Sequence, residues 1–282
     1  MKQQIIRQIQ NHIFNHPENV HPLTKKKFYE IPDVFIADAS DKIFEKFRKV
    51  VSPEHMTPEE AFELAYGKNS FKGGSVIVSV SPIHETVRIS NRKCKDMASK
   101  EWALGRGHGD EVFHKNRFKE IVTQIHEMGY RAVAPWLSEG FRVFRTDTFS
   151  SNWSERHIAY AAGAGTFGLN DSFITEKGAC VRIISIVTDI LMEPDTRTDK
   201  NHTANCLFKS KGLCGACIKR CPVKAIDDSG HDKMKCALFV YGEGSKKFAA
   251  EVGGIEKTGS GCGLCQTGVP CEYRNPTQQT GS

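Results

Sequence analysis

Residues 214–226 read CGACIKRCPVKAI, and residues 261–266 read GCGLCQ. The first stretch has three cysteines at intervals of three and four residues, and a proline follows the third cysteine. Cys206 precedes this motif, Cys236 lies between the two motifs, and Cys271 follows the second one. Eight of the 10 cysteines in the 282-residue chain therefore fall within one segment.

The spacing and the closing Cys-Pro are typical of a module with two [4Fe–4S] clusters. Short intervals let several thiolates reach neighbouring irons of one cube, and the cysteine before proline binds the other cluster. The predicted ligands are Cys206, Cys214, Cys217 and Cys271 for one cluster, and Cys221, Cys236, Cys262 and Cys265 for the other. The alternative is a zinc site on the two Cys-x-x-Cys pairs, which leaves four cysteines without a role.

Cysteine usage also indicates the compartment. Residues 1–17 contain no continuous apolar segment of a secretory signal, and residues 181–192 are too short and too charged to span a bilayer. We therefore expect a cytoplasmic protein without a membrane segment, in which cysteines bind metal rather than form disulfides. Cys94 and Cys180 stand apart from the motifs and are interpreted as buried thiols.

The charge of the chain is uneven. Apolar residues make up 39% and charged residues 26%, which predicts a globular protein. Residues 196–282 carry 13 Lys and Arg against 8 Asp and Glu, whereas residues 1–195 carry 26 against 25. A cube with four thiolates carries a net charge of about −2, so this excess is interpreted as compensation for two buried anions. It is weak evidence for nucleic-acid binding.

Hydrophobic periodicity predicts mixed helices and strands before the cysteine region. Helices are expected over residues 2–15, 40–50, from Thr57 onward, 110–128 and 154–162, and strands over 75–81, 131–134 and 181–190. These elements predict an α/β or α+β domain over residues 1–195, followed by a cluster domain over residues 196–282. Residues 193–204 are polar and predict the linker, and the Gly-rich segment 105–110, which contains His108, predicts a loop.

Residues 163–168 match the pattern GxGxxG. A dinucleotide site needs this loop after a strand and before a helix. Here a helix precedes the glycines, so Gly163 is interpreted as a helix C-cap and tight NAD(P) binding is not expected. The other glycines indicate a close approach by a flat ligand or by another part of the chain, and both alternatives stay open.

Four stretches together resemble the epoxyqueuosine reductase and reductive dehalogenase superfamily of corrinoid iron–sulfur proteins. They are SERHIAYAAGAGTFG at 154–168, VTDI at 187–190 and the two cysteine motifs. They follow one another in the family's order, and the resemblance covers roughly residues 75–275. It implies a nitroreductase-like α/β domain followed by a ferredoxin-like module with two clusters.

The resemblance also implies a cofactor and an activity. A cobalamin would lie between the two domains, and the clusters would pass single electrons to its cobalt, which reduces an electrophilic substrate. The implied partners are a low-potential donor, ferredoxin or flavodoxin, and a small molecule or modified nucleoside as substrate. A tRNA substrate is only weakly supported, because no strongly basic face is indicated.

Candidate site residues follow from the same resemblance and, for His157 and Tyr160, from their spacing of three residues on one predicted helix face, with a surface position for His157 and core packing of Tyr160 as the alternatives. Asp147 is expected as the proton donor, with a plain turn residue as the alternative, and Tyr160 is a second catalytic candidate. The expected cofactor-binding residues are His157, Gly163, Gly165, Thr166 and Gly168. Two rival functions stay open: a flavin-dependent reductase with the same electron module, and a non-catalytic electron carrier or corrinoid-activating protein.

Overall fold

The computed structural model describes residues 1–145, 149–197 and 201–278. The α-helices are α1 Lys2–Phe14, α2 Ile43–Val50, α3 Pro58–Tyr66, α4 Glu85–Arg92, α5 Lys100–Leu104, α6 Lys115–Glu127, α7 Glu155–Ala161, α8 Leu207–Lys211, α9 Ala216–Arg220, α10 Lys233–Val240 and α11 Glu243–Glu251. The strands are β1 Asp33–Asp38, β2 Ser75–Pro82, β3 Ala132–Val133, β4 Val143–Arg145, β5 Phe149–Ser151, β6 Thr166–Phe167, β7 Phe173–Ile174 and β8 Val181–Thr188. A π-helix covers Gly105–His114, and 3-10 turns cover Pro135–Leu137, Glu256–Thr258 and Leu264–Gln266.

Strands β1, β2, β8 and β3 form one sheet in that order, and each neighbouring pair is antiparallel. Strands β2 and β8 pair along their whole length, with Ile77 opposite Ile186 and Val78 opposite Ser185. Alternate side chains of β2 enter different cores, and every residue of β2 is buried. Of the two predicted classes, this antiparallel sheet fits an α+β domain.

Helices cover both faces of this sheet. One face packs against α1 and α6, whose buried apolar side chains are Ile5, Ile9, Ile13, Phe118, Ile121 and Ile125. The other face packs against α2, α3 and α7, whose buried side chains include Phe44, Phe47, Phe62 and Ile158. Each such burial contributes roughly 1.5–3 kcal/mol, so the sheet domain has a substantial apolar core of its own.

Several predicted elements are confirmed, and local capping explains their bounds. The predicted start of α3 is a capping box: Thr57 Oγ1 accepts from the amide of Glu60 over 3.3 Å, and Glu60 Oε2 accepts from the amide of Thr57 over 2.9 Å. Helix α2 begins at Ile43, later than predicted, because Asp41 Oδ1 accepts from the amide of Ile43 over 2.9 Å. The hydroxyl of Ser40 instead donates to Asp38 over 2.7 Å.

The π-helix Gly105–His114 replaces the loop that was predicted around His108. It joins α5 directly to α6. A Cβ atom at Gly107 would lie 3.0 Å from the backbone nitrogen of Ile255, and one at Gly109 would lie 2.8 Å from the hydroxyl of Tyr29. These glycines therefore permit close packing, and the prediction was wrong because their contacts are distant along the chain.

Short elements and turns make up residues 201–278. Helices α8, α9 and α10 bury no side chain, in contrast to the helices of the sheet domain. The described parts of the expected linker contain no helix or strand. No helix in the described ranges is long and apolar enough to cross a bilayer. The domain boundary between residues 195 and 196 stays a prediction.

Candidate metal centre

Two short helices hold the first cysteine motif. Cys206 directly precedes α8, and Cys217 lies within α9. Between them, Cys214 has φ 105°, a backbone conformation that residues with a side chain rarely adopt. The amide of Ala225 donates to Cys221 Sγ over 3.1 Å, and Cys214 Sγ accepts from another amide over 3.5 Å. Both sulfur atoms therefore accept hydrogen bonds from the backbone of their own motif.

The first group of thiols consists of Cys206, Cys214, Cys217 and Cys271, which come from both ends of the cysteine region. Burial raises the pKa of Cys271 to about 12, and the thiols of Cys206, Cys217 and Cys214 contribute to this rise because they lie close to it. Burial followed by the thiols of Cys206 and Cys214 likewise raises the pKa of Cys217 to about 11. Cys271 follows the second motif in the sequence, but its thiol lies among those of the first.

The second group of thiols consists of Cys221, Cys236, Cys262 and Cys265. Burial raises the pKa of Cys262 to about 11, with contributions from Cys236 and Cys221. Burial followed by Cys262 also raises the pKa of Cys265, with a smaller contribution from Cys236. Cys221 precedes proline and belongs to the first motif in sequence, yet it lies with the second group. The proximities agree with the predicted partition, and the role of each thiol as a ligand stays a prediction.

The donor set fits two cubes better than zinc. Within residues 1–145, 149–197 and 201–278, no three His, Cys, Asp or Glu side chains are arranged to hold a single metal ion. Four thiolates at 2.3 Å from one zinc would lie about 3.8 Å from one another. The zinc alternative would also need Cys214 and Cys217 from the first thiol group and Cys262 and Cys265 from the second at one ion. A cube binds four thiolates through four separate irons. Four thiols that lie too far apart to bind a single ion can therefore still bind a cube.

Arg220, one residue before Cys221, ties the two motifs together. Its guanidinium donates to the carbonyl oxygens of Leu264 over 3.1 Å and Thr267 over 3.0 Å, both in the second motif. It also donates to the carbonyl oxygen of Cys94, beyond the end of α4, over 2.9 Å. Sequence reasoning missed this positioning role because all three acceptors are distant along the chain.

The sheet domain contacts the second motif directly. Asn91 is buried and donates to the carbonyl oxygen of Cys262 over 3.1 Å. The indole of Trp102 lies against Gly263, where a Cβ atom would be only 2.0 Å from Trp102 Cζ2. Gly263 also has φ 64°, so both its backbone and its neighbour require glycine.

The turn between β6 and β7 contacts the same group. Asn170 donates to the carbonyl oxygen of Cys265 over 2.8 Å. The imidazole of His231 lies 3.3 Å from Asp171 Oδ2. Burial alone would lower the pKa of His231, but hydrogen bonds to Asp171 and Cys236 raise it to about 9. His231 was not predicted as part of the site, although it lies only five residues before a candidate ligand.

The glycine segment is in close contact with the chain itself. The C-cap of α7 is Ala162, so Gly163, predicted as the C-cap, lies one residue further on, where it ends the helix with φ 77°. A Cβ atom at Gly163 would lie 2.9 Å from Thr196 O, and one at Gly165 would lie 2.3 Å from Ile174 O. A Cβ atom at Gly168 would be similarly close to Asn170, at 2.8 Å.

Backbone therefore occupies the space that a flat ligand would need at these positions. Thr166 is buried, and its hydroxyl accepts from the amide of Asn205 over 2.8 Å. As they stand, these residues do not fit a corrinoid. The predicted roles of Gly163, Gly165, Thr166 and Gly168 in cofactor binding stay predictions, and residues 196–197 would have to move.

His157 and Tyr160 share a face of α7, as their spacing predicts, and both contact Phe167. The ring centroids lie 4.7 Å apart for His157 and 6.0 Å apart for Tyr160. His157 Nδ1 also lies 2.8 Å from the hydroxyl of Ser154, and burial lowers the pKa of the imidazole to about 3. The guanidinium of Arg197 lies 5.7 Å from the ring centroid of Tyr160. Their predicted cofactor-binding and catalytic roles remain predictions.

Asp147 lies outside the described residues, between β4 and β5. The flanking strands pair with each other, and Phe149 stacks on Tyr241 with ring centroids 5.6 Å apart. The guanidinium of Arg145 lies 5.1 Å from the ring centroid of Tyr241. The hairpin that carries the predicted proton donor is therefore attached to the cysteine region beside α10. The role of Asp147 stays a prediction.

The two isolated cysteines differ. Cys180 is buried, and its thiol donates to the carbonyl oxygen of Gln266 over 3.1 Å, which confirms the prediction of a buried thiol. Burial raises its pKa well above the ordinary value. Cys94 is partly exposed, so the same prediction was wrong for it. It lies two residues beyond the end of α4.

Comparison with known proteins gives the fold. No protein-family model and no curated protein matches the chain. An epoxyqueuosine reductase from Streptococcus thermophilus superposes with a TM-score of 0.56 at 13% identity, over 96% of this chain and 66% of the other. The chain has the fold of the epoxyqueuosine reductase and reductive dehalogenase superfamily. The resemblance seen in the sequence is thereby confirmed at the level of the fold.

Two further structures with this superfamily fold carry ligands. An epoxyqueuosine reductase with an epoxyqueuosine-modified tRNA-Tyr stem loop superposes with a TM-score of 0.50 at 14% identity, over 96% of this chain and 65% of the other. A catabolic reductive dehalogenase in complex with 3-bromo-4-hydroxybenzoic acid superposes with a TM-score of 0.51 at 15% identity, over 97% of this chain and 36% of the other. The chain thus spans about two thirds of the epoxyqueuosine reductases that it matches.

Proposed function

We propose that this protein is an iron–sulfur oxidoreductase whose two [4Fe–4S] clusters deliver single electrons to an electrophilic substrate. The observation that supports it most is the gathering of eight thiols into two groups of four, with Cys221 and Cys271 exchanged between the motifs. Each group has the four sulfur donors that a cube requires. The fold shared with two classes of reductive enzymes adds support.

The residues of this chain have separate roles in the proposal. The two thiol groups hold one cube each, and Arg220 holds the two motifs in register through its bonds to Leu264 and Thr267. Asn91 fixes the second motif on the sheet domain. Asp147 is the proposed proton donor to the reduced substrate, as the sequence resemblance implies.

A corrinoid is the proposed acceptor of the electrons, as the sequence resemblance implies. When bound, such a cofactor supplies a strongly nucleophilic reduced metal. The glycine segment does not fit it as it stands, because Thr196 and Ile174 lie over Gly163 and Gly165. We therefore assign no residue of that segment to a chemical step.

The proposed substrate is a small molecule or a modified nucleoside. One structure with this fold contains a modified tRNA stem loop, and another contains a halogenated hydroxybenzoic acid. The first ligand contains an epoxide C–O bond and the second an aryl C–Br bond, and single electrons together with protons can cleave such bonds reductively.

The test is spectroscopic. Protein purified without oxygen should contain about eight irons per chain and give the EPR signal of reduced cubes after treatment with dithionite. Added cob(II)alamin should remain with the protein on gel filtration and become reduced. Protein that binds stoichiometric zinc, or fewer than about four irons, would contradict the proposal. A flavin spectrum would replace the corrinoid with flavin.

A second function is favoured by the closed glycine segment. If residues 196–197 stay over Gly163, the chain has clusters without an organic cofactor and acts as an electron carrier. In that case, cob(II)alamin and flavin would both elute separately, whereas iron content and cluster reduction would be unchanged. Gel filtration with each cofactor therefore separates the two functions.

A further inference from the structure

The first thiol group reaches the protein surface. Of the ten cysteines, Cys214 is the one that is exposed, and its neighbour Leu213 is 61% exposed. By contrast, Cys265 of the second group is only partly exposed and follows the buried Leu264 in the sequence. A cube bound to the first group would thus have one of its ligands in contact with solvent.

The stretch of sequence that contains Cys214 carries charges of a single sign. Between Cys206 and Ile226 there are five basic residues and no Asp or Glu. Three of the lysines are exposed and belong to α8, α9 or their ends. We call the exposed residues Lys209, Lys211, Leu213, Cys214 and Lys219 the lysine face. It combines an exposed apolar side chain, a surface thiol and three lysines with no Asp or Glu between them in the sequence.

Other basic surfaces of the chain lack this combination. Lys247 on α11 lies 4.0 Å from Glu251, one helical turn away, so its charge is locally opposed. Lys25 and Lys26 are exposed and adjacent in sequence, but no cysteine lies near them. Charge alone therefore does not single out the lysine face, whereas charge beside a surface thiol does.

We propose that the lysine face is the docking surface for a small, strongly acidic one-electron carrier protein, and that electrons enter the chain there. This inference rests on the proposed function. The reduced carrier loses one electron, and the cube held by the first thiol group gains it, without any bond being made or broken. Charge complementarity steers such encounters and raises the association rate. The small apolar contact at Leu213 suits an interface that must also dissociate.

The interior gives the electron a direction. Cys217 of the first group and Cys265 of the second belong to the same packed cluster, so the two thiol groups adjoin. The second group is the one attached to the sheet domain, through Asn91 and the contact of Trp102 with Gly263. Electrons that enter at Cys214 would therefore pass from the first cube to the second and leave toward the sheet domain.

The test compares two triple variants of the full-length holoprotein. One is Lys209→Glu, Lys211→Glu and Lys219→Glu, which reverses the lysine face. Its matched control is Lys25→Glu, Lys26→Glu and Lys68→Glu, which makes the same change in net charge at exposed sites far from the cysteines. The probe is a reduced plant-type [2Fe–2S] ferredoxin of strongly negative charge, and its redox-inactive gallium form is used for binding.

At low ionic strength, the lysine-face variant should be reduced by ferredoxin at least 10-fold more slowly than the unmodified protein. The calorimetric affinity for gallium ferredoxin should fall likewise, and the salt dependence should flatten. The control variant should behave as the unmodified protein in both measurements. Equal losses in the two variants, or no loss in the first, would overturn the docking proposal.

Two further measurements separate this proposal from the proposed function. Iron content and reduction by dithionite, which needs no docking, should be the same in all three proteins. If no cube forms, the proposed function fails and the inference fails with it. If cubes form and dithionite reduces them but the variants do not differ with ferredoxin, the docking proposal alone fails. Loss of RNA stem-loop binding instead of ferredoxin binding would reassign the face to nucleic acid and overturn it.

Discussion

Strands β2 and β8 pair over their full length and are packed on both faces, whereas α8, α9 and α10 bury no side chain. The sheet domain is therefore stabilised mainly by apolar burial. The cysteine region has only a small apolar cluster, which includes five of its own cysteines. For this region, the proposed cubes take the place of a hydrophobic core, as metals do in other small domains.

The largest effect should follow loss of a single thiol. Cys217→Ala should lower the iron content from about eight to at most about four per chain, and hydrogen exchange should become fast in α8–α11. Amides of β2 and β8 should stay protected, because their packing does not use metal. The partly exposed Cys94 provides the control, since Cys94→Ala should keep all the iron. Simultaneous loss of protection in β2 would show that the two regions fold as one unit.

A smaller effect is expected at the residue that joins the two motifs. Arg220→Ala leaves the carbonyl oxygens of Leu264, Thr267 and Cys94 without their charged donor. We expect iron release to a chelator to be more than 10-fold faster, with a partial rescue in Arg220→Lys. Lys219→Ala removes an exposed charge next to it and serves as the control. Unchanged release in Arg220→Ala would show that the thiols alone hold the motifs in register.

Within the sheet domain, Glu155 should make stability depend on pH. Its carboxylate oxygens are buried and have no hydrogen-bond partner of good geometry among the described residues. The nearest donors are Ser185 and Trp153, and the indole N–H of Trp153 donates to Ser185 over 3.0 Å. Burial raises the pKa of Glu155 from 4.5 to about 8, and these donors oppose the rise only in part.

The folded state holds the proton of Glu155 more tightly than the unfolded state does. The contribution of Glu155 to the stability of the folded state is therefore largest below pH 4.5 and falls as the pH rises to about 8. Glu155→Gln should remove this fall and raise the free energy of unfolding at pH 8 by a few kcal/mol, because one pKa unit corresponds to about 1.4 kcal/mol. Thermal melting of the sheet domain at pH 5 and pH 8 measures this difference in stability, and Glu59→Gln, at an exposed position, is the control. An equal pH dependence in both variants would contradict the assignment to Glu155.

The smallest effect is expected at the capping box of α3. Thr57→Ala removes the hydroxyl that accepts from the amide of Glu60, at a cost of about 1 kcal/mol. Iron content should not change, since α3 belongs to the apolar region. Thr123→Ala, in the exposed part of α6, is the control for loss of a threonine. A fall in iron content would mean that the two regions are more tightly coupled than their contacts indicate.

Sequence patterns among neighbouring residues predicted some elements of this molecule, whereas contacts between residues distant along the chain determined the others. The cap of α3 and the buried strand β2 could be predicted, because residues adjacent in sequence carry the whole signal. The grouping of thiols followed from the Cys-Pro rule, which describes a recurrent local motif. The π-helix was missed because Gly107 and Gly109 pack against Ile255 and Tyr29, which no local pattern connects.

The same limit applies to the candidate site. The glycines after α7 suggested a close approach, but only the folded chain shows that Thr196 and Ile174 make it. No local pattern distinguishes Arg220 from the other basic residues of its motif, because its carbonyl acceptors lie far away in the sequence, in Asn91, Arg92, Cys94, Leu264 and Thr267. Residues whose function depends on distant partners were therefore the ones that sequence reasoning could not assign.

The exchange of Cys271 into the first thiol group also sets an order for biosynthesis. The ribosome releases Cys206, Cys214 and Cys217 before Cys271 is made, and at about 5–20 residues per second this delay lasts roughly 3–10 s. Cys271 then aligns on the finished sheet, because its carbonyl oxygen accepts from the amide of Ala179 over 2.7 Å. The first three thiols must stay reduced and free of competing metals during this interval. The proposed first cube could therefore be completed only after Cys271 has been made.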